Sequence, residues 1–77
     1  LIKEGYLYTL DAKYFFAMFK FYEAVQREPM NIQARLWLAY SYTKLGNIKY
    51  AIQEYENVLR IDPYNQNAAA ALKILRK

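Results

Sequence analysis

The chain has 77 residues, room for one small domain, and at this size only about 60% of the unfolded surface is buried on folding. It holds no cysteine and no histidine, which excludes disulfides, thiolate chemistry, the usual zinc ligand sets and imidazole acid–base catalysis. Eleven basic residues are interspersed with seven acidic ones, so the net charge of +4 makes no nucleic-acid-binding stripe.

In chain order, five segments read as helix. The first covers residues 1–10, with apolar positions at Ile2, Tyr6 and Leu10. The second covers 13–27, with Asp11 as its expected N-cap, and it ends at Glu28-Pro29 because proline disfavours helix in the residue before it. Asn31 caps a third helix that reaches about Lys44, where Leu45-Gly46-Asn47 breaks it. The fourth begins at Asn47 or Ile48, runs to Arg60 and stops at Asp62-Pro63. Asn65 caps the fifth, Gln66 to Arg76, which is driven by the run Ala68–Ala71. Lys73, Arg76 and Lys77 complement its dipole as a solvated helix end. The connections are short, so consecutive helices are antiparallel neighbours. No strand pattern is present, and no apolar run approaches the roughly 18 residues needed to span a bilayer. Residues 1–10 carry Lys3 and Glu4 and do not read as a signal peptide, which slightly favours the cytoplasm. The chain opens on Leu1 rather than Met and is read as a piece of something longer.

Residues 34 apart repeat: Tyr6 with Tyr40, Tyr8 with Tyr42, Thr9 with Thr43, Ala17 with Ala51, Pro29 with Pro63 and Asn31 with Asn65. Ile2 with Leu36, Gly5 with Ala39, Phe21 with Tyr55, Ala24 with Val58 and Glu28 with Asp62 are conservative pairs. A fixed period of this length marks a stacked helical repeat. Residues 32–65 resemble a tetratricopeptide repeat through Leu38, Ala39, Tyr42, Gly46, Tyr50-Ala51, Tyr55, Val58 and Pro63. Residues 1–31 match as a truncated repeat through Gly5, Tyr8, Ala17, Phe21, Ala24 and Pro29, and residues 66–77 match as a capping helix or the start of a third repeat, with Leu72 in the place of Leu38. Three positions depart from the family pattern: Arg35 replaces its first-helix Trp, Glu4 stands where Leu38 stands, and Ala12 replaces the turn glycine supplied by Gly46, so the first hairpin is expected to turn differently. Gly5 and Ala39 are expected to face Ala17 and Ala51, letting the helices of a hairpin approach closely.

The resemblance implies a single all-α domain, a right-handed superhelical stack of antiparallel helix hairpins, with a groove that takes a peptide or helix. That groove would be lined by Ile2, Tyr6, Thr9, Gln33, Leu36, Trp37, Tyr40, Thr43, Lys44, Asn67 and Ala70. The family's carboxylate-clamp positions fall on Ile2, Tyr6, Trp37, Asn67 and Ala71, none with clamp chemistry, so no clamp for an acidic tail is expected. Tyr6, Trp37 and Tyr40 would form an aromatic floor, against the plainer reading that these rings pack helix on helix.

The second helix adds a separate feature. Phe15, Phe19 and Tyr22 fall on one face, whereas their counterparts Lys49, Gln53 and Glu56 are polar. This stripe reads first as a self-association face, then as a contact with other parts of a parent protein, and last as a membrane-surface contact. Two repeats and a closing helix are few for a stacked core, which also points to a homo-oligomer.

Nothing reads as catalytic. The sole serine, Ser41, has no histidine to activate it, Glu54 and Glu56 read as solvated surface, and both glycines read as packing or helix-stop residues. The functional expectation is therefore a non-enzymatic protein–protein interaction module without a cofactor, binding protein or peptide. Alternatives are a structural spacer, or an RNA-binding helical repeat, for which the inner face offers only Lys3, Lys44 and Lys77.

Overall fold

The computed structural model describes residues 2–76. They form five helices: α1 (Ile2–Leu10), α2 (Tyr14–Arg27), α3 (Ile32–Lys44), α4 (Ile48–Ile61) and α5 (Gln66–Leu75). No strand occurs among the described residues, and no described helix is long and apolar enough to cross a membrane. Each helix packs on the next in the chain, and α1 also touches α3. The expectations for Leu1 and Lys77 fall outside the described residues.

The helix ends repeat as the sequence does. The Asn31 side chain accepts a bond from the Ala34 N–H at 3.1 Å, and Asn65 accepts one from Ala68 at 2.9 Å. Each such cap contributes about 1 kcal/mol by satisfying a donor the helix cannot. The C-terminal ends of α1 and α3 close alike. Gly46 N–H donates to the Thr43 carbonyl at 3.1 Å and Asn47 N–H to Tyr42 at 2.8 Å; Ala12 N–H donates to Thr9 at 3.0 Å and Lys13 N–H to Tyr8 at 2.9 Å. This double bond pattern is the Schellman motif, which needs a left-handed residue just past the helix. Gly46 supplies it with φ +81°, and Ala12 adopts it with φ +57°. The expectation of a different first turn is thus corrected: the turn is the same, and an L-residue bears its strain.

Asp11 is also corrected. It does not cap α2, which starts at Tyr14 with Lys13 in the cap position and no side-chain cap bond. The Schellman closure places Asp11 and Ala12 with the end of α1, so Asp11 lies too early to reach the α2 amides.

Two buried clusters form the core. One joins Ala17, Phe21, Ala24, Val25, Ala34 and Leu38; the other joins Ala39, Ala51, Tyr55, Val58, Ala68 and Leu72. Five members of the second lie 34 residues beyond members of the first: Ala51, Tyr55, Val58, Ala68 and Leu72. The same packing unit is therefore built twice, around Phe21 and then around Tyr55. Gly5 is fixed by the first of these rings: a Cβ there would lie 2.5 Å from Phe21 Cε1. The expected pairing of Gly5 with Ala17 is refined accordingly, since the atom that forbids a side chain is the buried ring.

Polar contacts tie the hairpins. Arg35 donates from Nε to the Pro29 carbonyl and from a terminal nitrogen to Glu54 Oε1, both at 2.7 Å. The Arg35 and Glu54 side chains are only 16% and 17% exposed. Glu56 pairs with Arg76, joining α4 to the end of α5. Glu54 and Glu56 are thus not plain solvated surface, because each finds a cation on another helix. Ser41 is fully buried and its Oγ has no hydrogen-bond partner.

Candidate functional site

The first helices of the two hairpins and the start of α5 surround an open cavity of about 490 Å³. Tyr6 and Thr9 reach it from α1, Gln33, Leu36, Trp37 and Tyr40 from α3, and Asn67 from α5. These seven are residues the sequence places on a groove. Leu10 and Tyr55 also line it. Neither is among the groove positions expected from sequence: Tyr55 belongs to the core on α4 and also borders the cavity, and Leu10 is the last residue of α1.

The remaining expected lining residues lie elsewhere. Ile2 borders a separate depression with Lys3, Ala24, Arg27 and Glu28. Thr43 borders another with Tyr55, Ala71, Ile74 and Leu75, and its hydroxyl donates to the Ala39 carbonyl at 2.9 Å. Lys44 stands at the rim, its ammonium 5.5 Å from the centre of the Tyr40 ring. Such a contact is worth about 0.5–1 kcal/mol at an exposed site and holds the cation beside the aromatic wall. Ala70 is exposed and does not border the cavity.

Trp37 organises the aromatic part. It stacks on Phe21 with ring centres 5.7 Å apart and planes at 18°. Tyr6 meets it edge-on at 5.4 Å and Tyr40 at 5.7 Å. Tyr40 in turn meets Tyr14 of α2 at 6.1 Å. The rings therefore serve both readings: Trp37 is anchored on the core through Phe21 and still borders the cavity. Burial raises the Tyr40 phenol above its ordinary value of 10.0, and the neighbouring Tyr14 hydroxyl adds to the rise. Burial likewise raises Tyr55, with the Thr43 side chain pulling the other way. Both phenols are neutral at physiological pH. Among the described residues the cavity is lined by no ionisable side chain other than Tyr6, Tyr40 and Tyr55, so its polar contacts come from hydroxyls and the amides of Gln33 and Asn67.

The rings of α2 form a second surface. Phe15, Phe19 and Tyr22 are 53%, 49% and 47% exposed, so the described residues leave them uncovered. Phe15 meets Phe19 at 4.9 Å and Phe16 at 6.1 Å, and Phe16 meets Tyr8 of α1 at 5.6 Å. Phe16, 55% exposed, extends the stripe and was not assigned from sequence. Its counterpart Tyr50 meets Tyr42 at 5.6 Å in the same tilted manner, a parallel that the 34-residue register could have revealed.

No group of histidine, cysteine or carboxylate side chains among the described residues could hold a metal ion. Comparison of the chain with protein-family models and with curated proteins found no match.

Proposed function

We propose that this chain is a tetratricopeptide-like stack of antiparallel hairpins, a non-catalytic interaction module that takes a peptide or helix in the cavity between α1, α3 and α5. One observation carries the reading: seven residues that the family resemblance assigns to a groove converge on a single 490 Å³ cavity. An open, largely apolar cleft with a few polar groups suits a peptide, one of whose side chains can fill it while the backbone amides bond Gln33 and Asn67. Rings that are already held, as Trp37 is on Phe21, lose little freedom on binding, which favours affinity. The same reading includes self-association through Phe15, Phe19 and Tyr22, supported by the exposure of these rings.

Trp37 is the only tryptophan, so its fluorescence reports on the cavity directly. Peptides selected from a random library are expected to shift its emission on titration. The rim residues Gln33 and Asn67 are exposed, and replacing both with arginine should leave the fold intact. That double variant is expected to weaken binding at least about tenfold, a loss of ~1.4 kcal/mol. Selected peptides that bind the variant equally well, with no change in Trp37 emission, would place binding elsewhere and remove the groove reading.

A further inference from the structure

The two ends of the stack are finished differently. In α1 and α3 the positions Gly5 and Ala39 are buried, and they receive the second helix of their own hairpin. The same register position in α5 is Lys73, which is exposed. Tyr8 and Tyr42 correspond to Arg76, whose guanidinium pairs with Glu56. At these two register positions the α5 end therefore carries charge where α1 and α3 carry small or aromatic side chains.

The α1 end differs. Leu38 of α3 is buried against α2 and Ser41 is buried one turn on; their counterparts on α1 are Glu4 and Leu7, both exposed. Leu7 is 52% exposed and borders a shallow depression with Glu4, Tyr8 and Asp11. From Tyr8 the apolar surface continues through Phe16 to Phe15 and Phe19 on α2.

We infer that this end, built from Leu7, Phe15, Phe16 and Phe19, is covered by the same end of a second copy, making a two-fold dimer. The inference rests on the self-association reading above and names its surface and symmetry. Three observations choose the occupant. A large aromatic side chain presents about 200 Å² when free, so the half-exposed rings with Leu7 and Tyr22 offer roughly 500 Å² of apolar surface. A standard interface takes about 800 Å² per partner, around 60% of it apolar at the core, so the patch is of the right size and composition. Both signs of charge lie near it: Glu4 on α1, Asp11 in the turn after it, Lys13 at the start of α2 and Lys20 on α2, with Lys20 Nζ 3.4 Å from Glu4. A two-fold axis sets such a mixed rim against its own complement. On α5 the exposed large apolar side chain is Ile74, set beside the exposed Lys73, a smaller apolar area than the ring patch, so a like-to-like contact buries more than a head-to-tail one and the association closes at two.

The test is solution mass by light scattering across a wide range of concentrations, with helicity checked by circular dichroism. The wild-type chain is expected to reach twice its monomer mass and no more. Leu7→Asp and Phe15→Glu, each burying an unpaired charge at the interface, are each expected to weaken the dimer about a hundredfold or more. Both residues are exposed in the single copy, so helicity should not change. Loss of the dimer in Phe15→Glu and Phe19→Glu but not in Leu7→Asp would overturn this surface and leave the α2 stripe as the association face. Mass growing beyond two copies would overturn the two-fold closure. A wild-type chain that stays monomeric would overturn self-association altogether, while the Trp37 titration would still decide the groove on its own.

Discussion

At the scale of single residues, the clearest tension is at Ala12. The Schellman closure of α1 asks for a left-handed residue, and an L-residue there pays roughly 1–2 kcal/mol for its Cβ. Gly46 meets the same demand in the second hairpin without that cost. Ala12→Gly is therefore expected to stabilise the fold by about 1 kcal/mol, part of the gain being offset by the greater freedom of glycine in the unfolded chain. Urea denaturation followed by circular dichroism checks this; equal or lower stability would mean that the turn relaxes in solution. The reverse change, Gly46→Ala, should cost a similar amount, because open space surrounds Gly46 and only its φ opposes a side chain.

The same residue shows where sequence reading succeeds and fails. Helix limits were legible because asparagine caps, Pro29, Pro63 and Gly46 act within a few residues of themselves. Ala12 was misread because alanine carries no turn signal: the Tyr8 and Thr9 carbonyls impose the turn, through bonds that the sequence does not display. Asp11 followed it into error, since a cap assignment depends on knowing where the preceding helix closes. Gly5 was read as a packing glycine, yet the atom it must clear, in the Phe21 ring, lies sixteen positions further along and is set by tertiary geometry.

At the scale of helices, the link between α3 and α4 depends on a contact the sequence hid. Arg35 and Glu54 lie nineteen residues apart; the first reads from sequence as a departure from the family's tryptophan and the second as solvated surface, so neither announces the pair. Together, and mostly buried, they bind α4 to α3 and to the turn at Pro29. Removing one partner leaves the other charge poorly solvated, which costs about 3–5 kcal/mol when burial is complete and less here, where a sixth of each side chain stays wet. Glu54→Leu is thus expected to destabilise by about 2 kcal/mol, and Arg35→Met with Glu54→Leu to recover most of that loss. A double variant no more stable than the single one would mean that the Arg35 bond to Pro29, rather than the ion pair, holds the junction. The cavity residues were legible at this scale for a simple reason. Tyr6, Gln33, Trp37 and Asn67 fall on the first-helix positions that line the groove in the family the sequence resembles, so the resemblance places them together. Tyr55 was missed because its backbone belongs to the core helix α4 and only its ring reaches across.

For the whole molecule, titration behaviour follows from composition and burial together. There is no histidine, so no side chain of that type responds between pH 6 and 8. The groups that folding perturbs are tyrosines. Burial raises Tyr40, Tyr42 and Tyr55 above 10.0, and Tyr42 is lifted further by Glu54, Tyr22 and Tyr50 nearby. A group with a raised folded value contributes stability that is fully present below its unfolded value, here about pH 10, and loses it as pH climbs through the folded value. Above pH 10 the unfolded chain releases these protons first, which draws the equilibrium toward unfolding. Stability should therefore be level from neutral pH to about 9 and fall steeply beyond 10, with three phenols adding to the slope. Denaturation midpoints measured from pH 7 to 11, alongside the tyrosinate absorbance of the folded state, check it. Phenols ionising at their ordinary value while the fold persists would show that these rings are open to water, and that the cavity wall to which Tyr40 and Tyr55 contribute is looser than the packing of Trp37 on Phe21 implies.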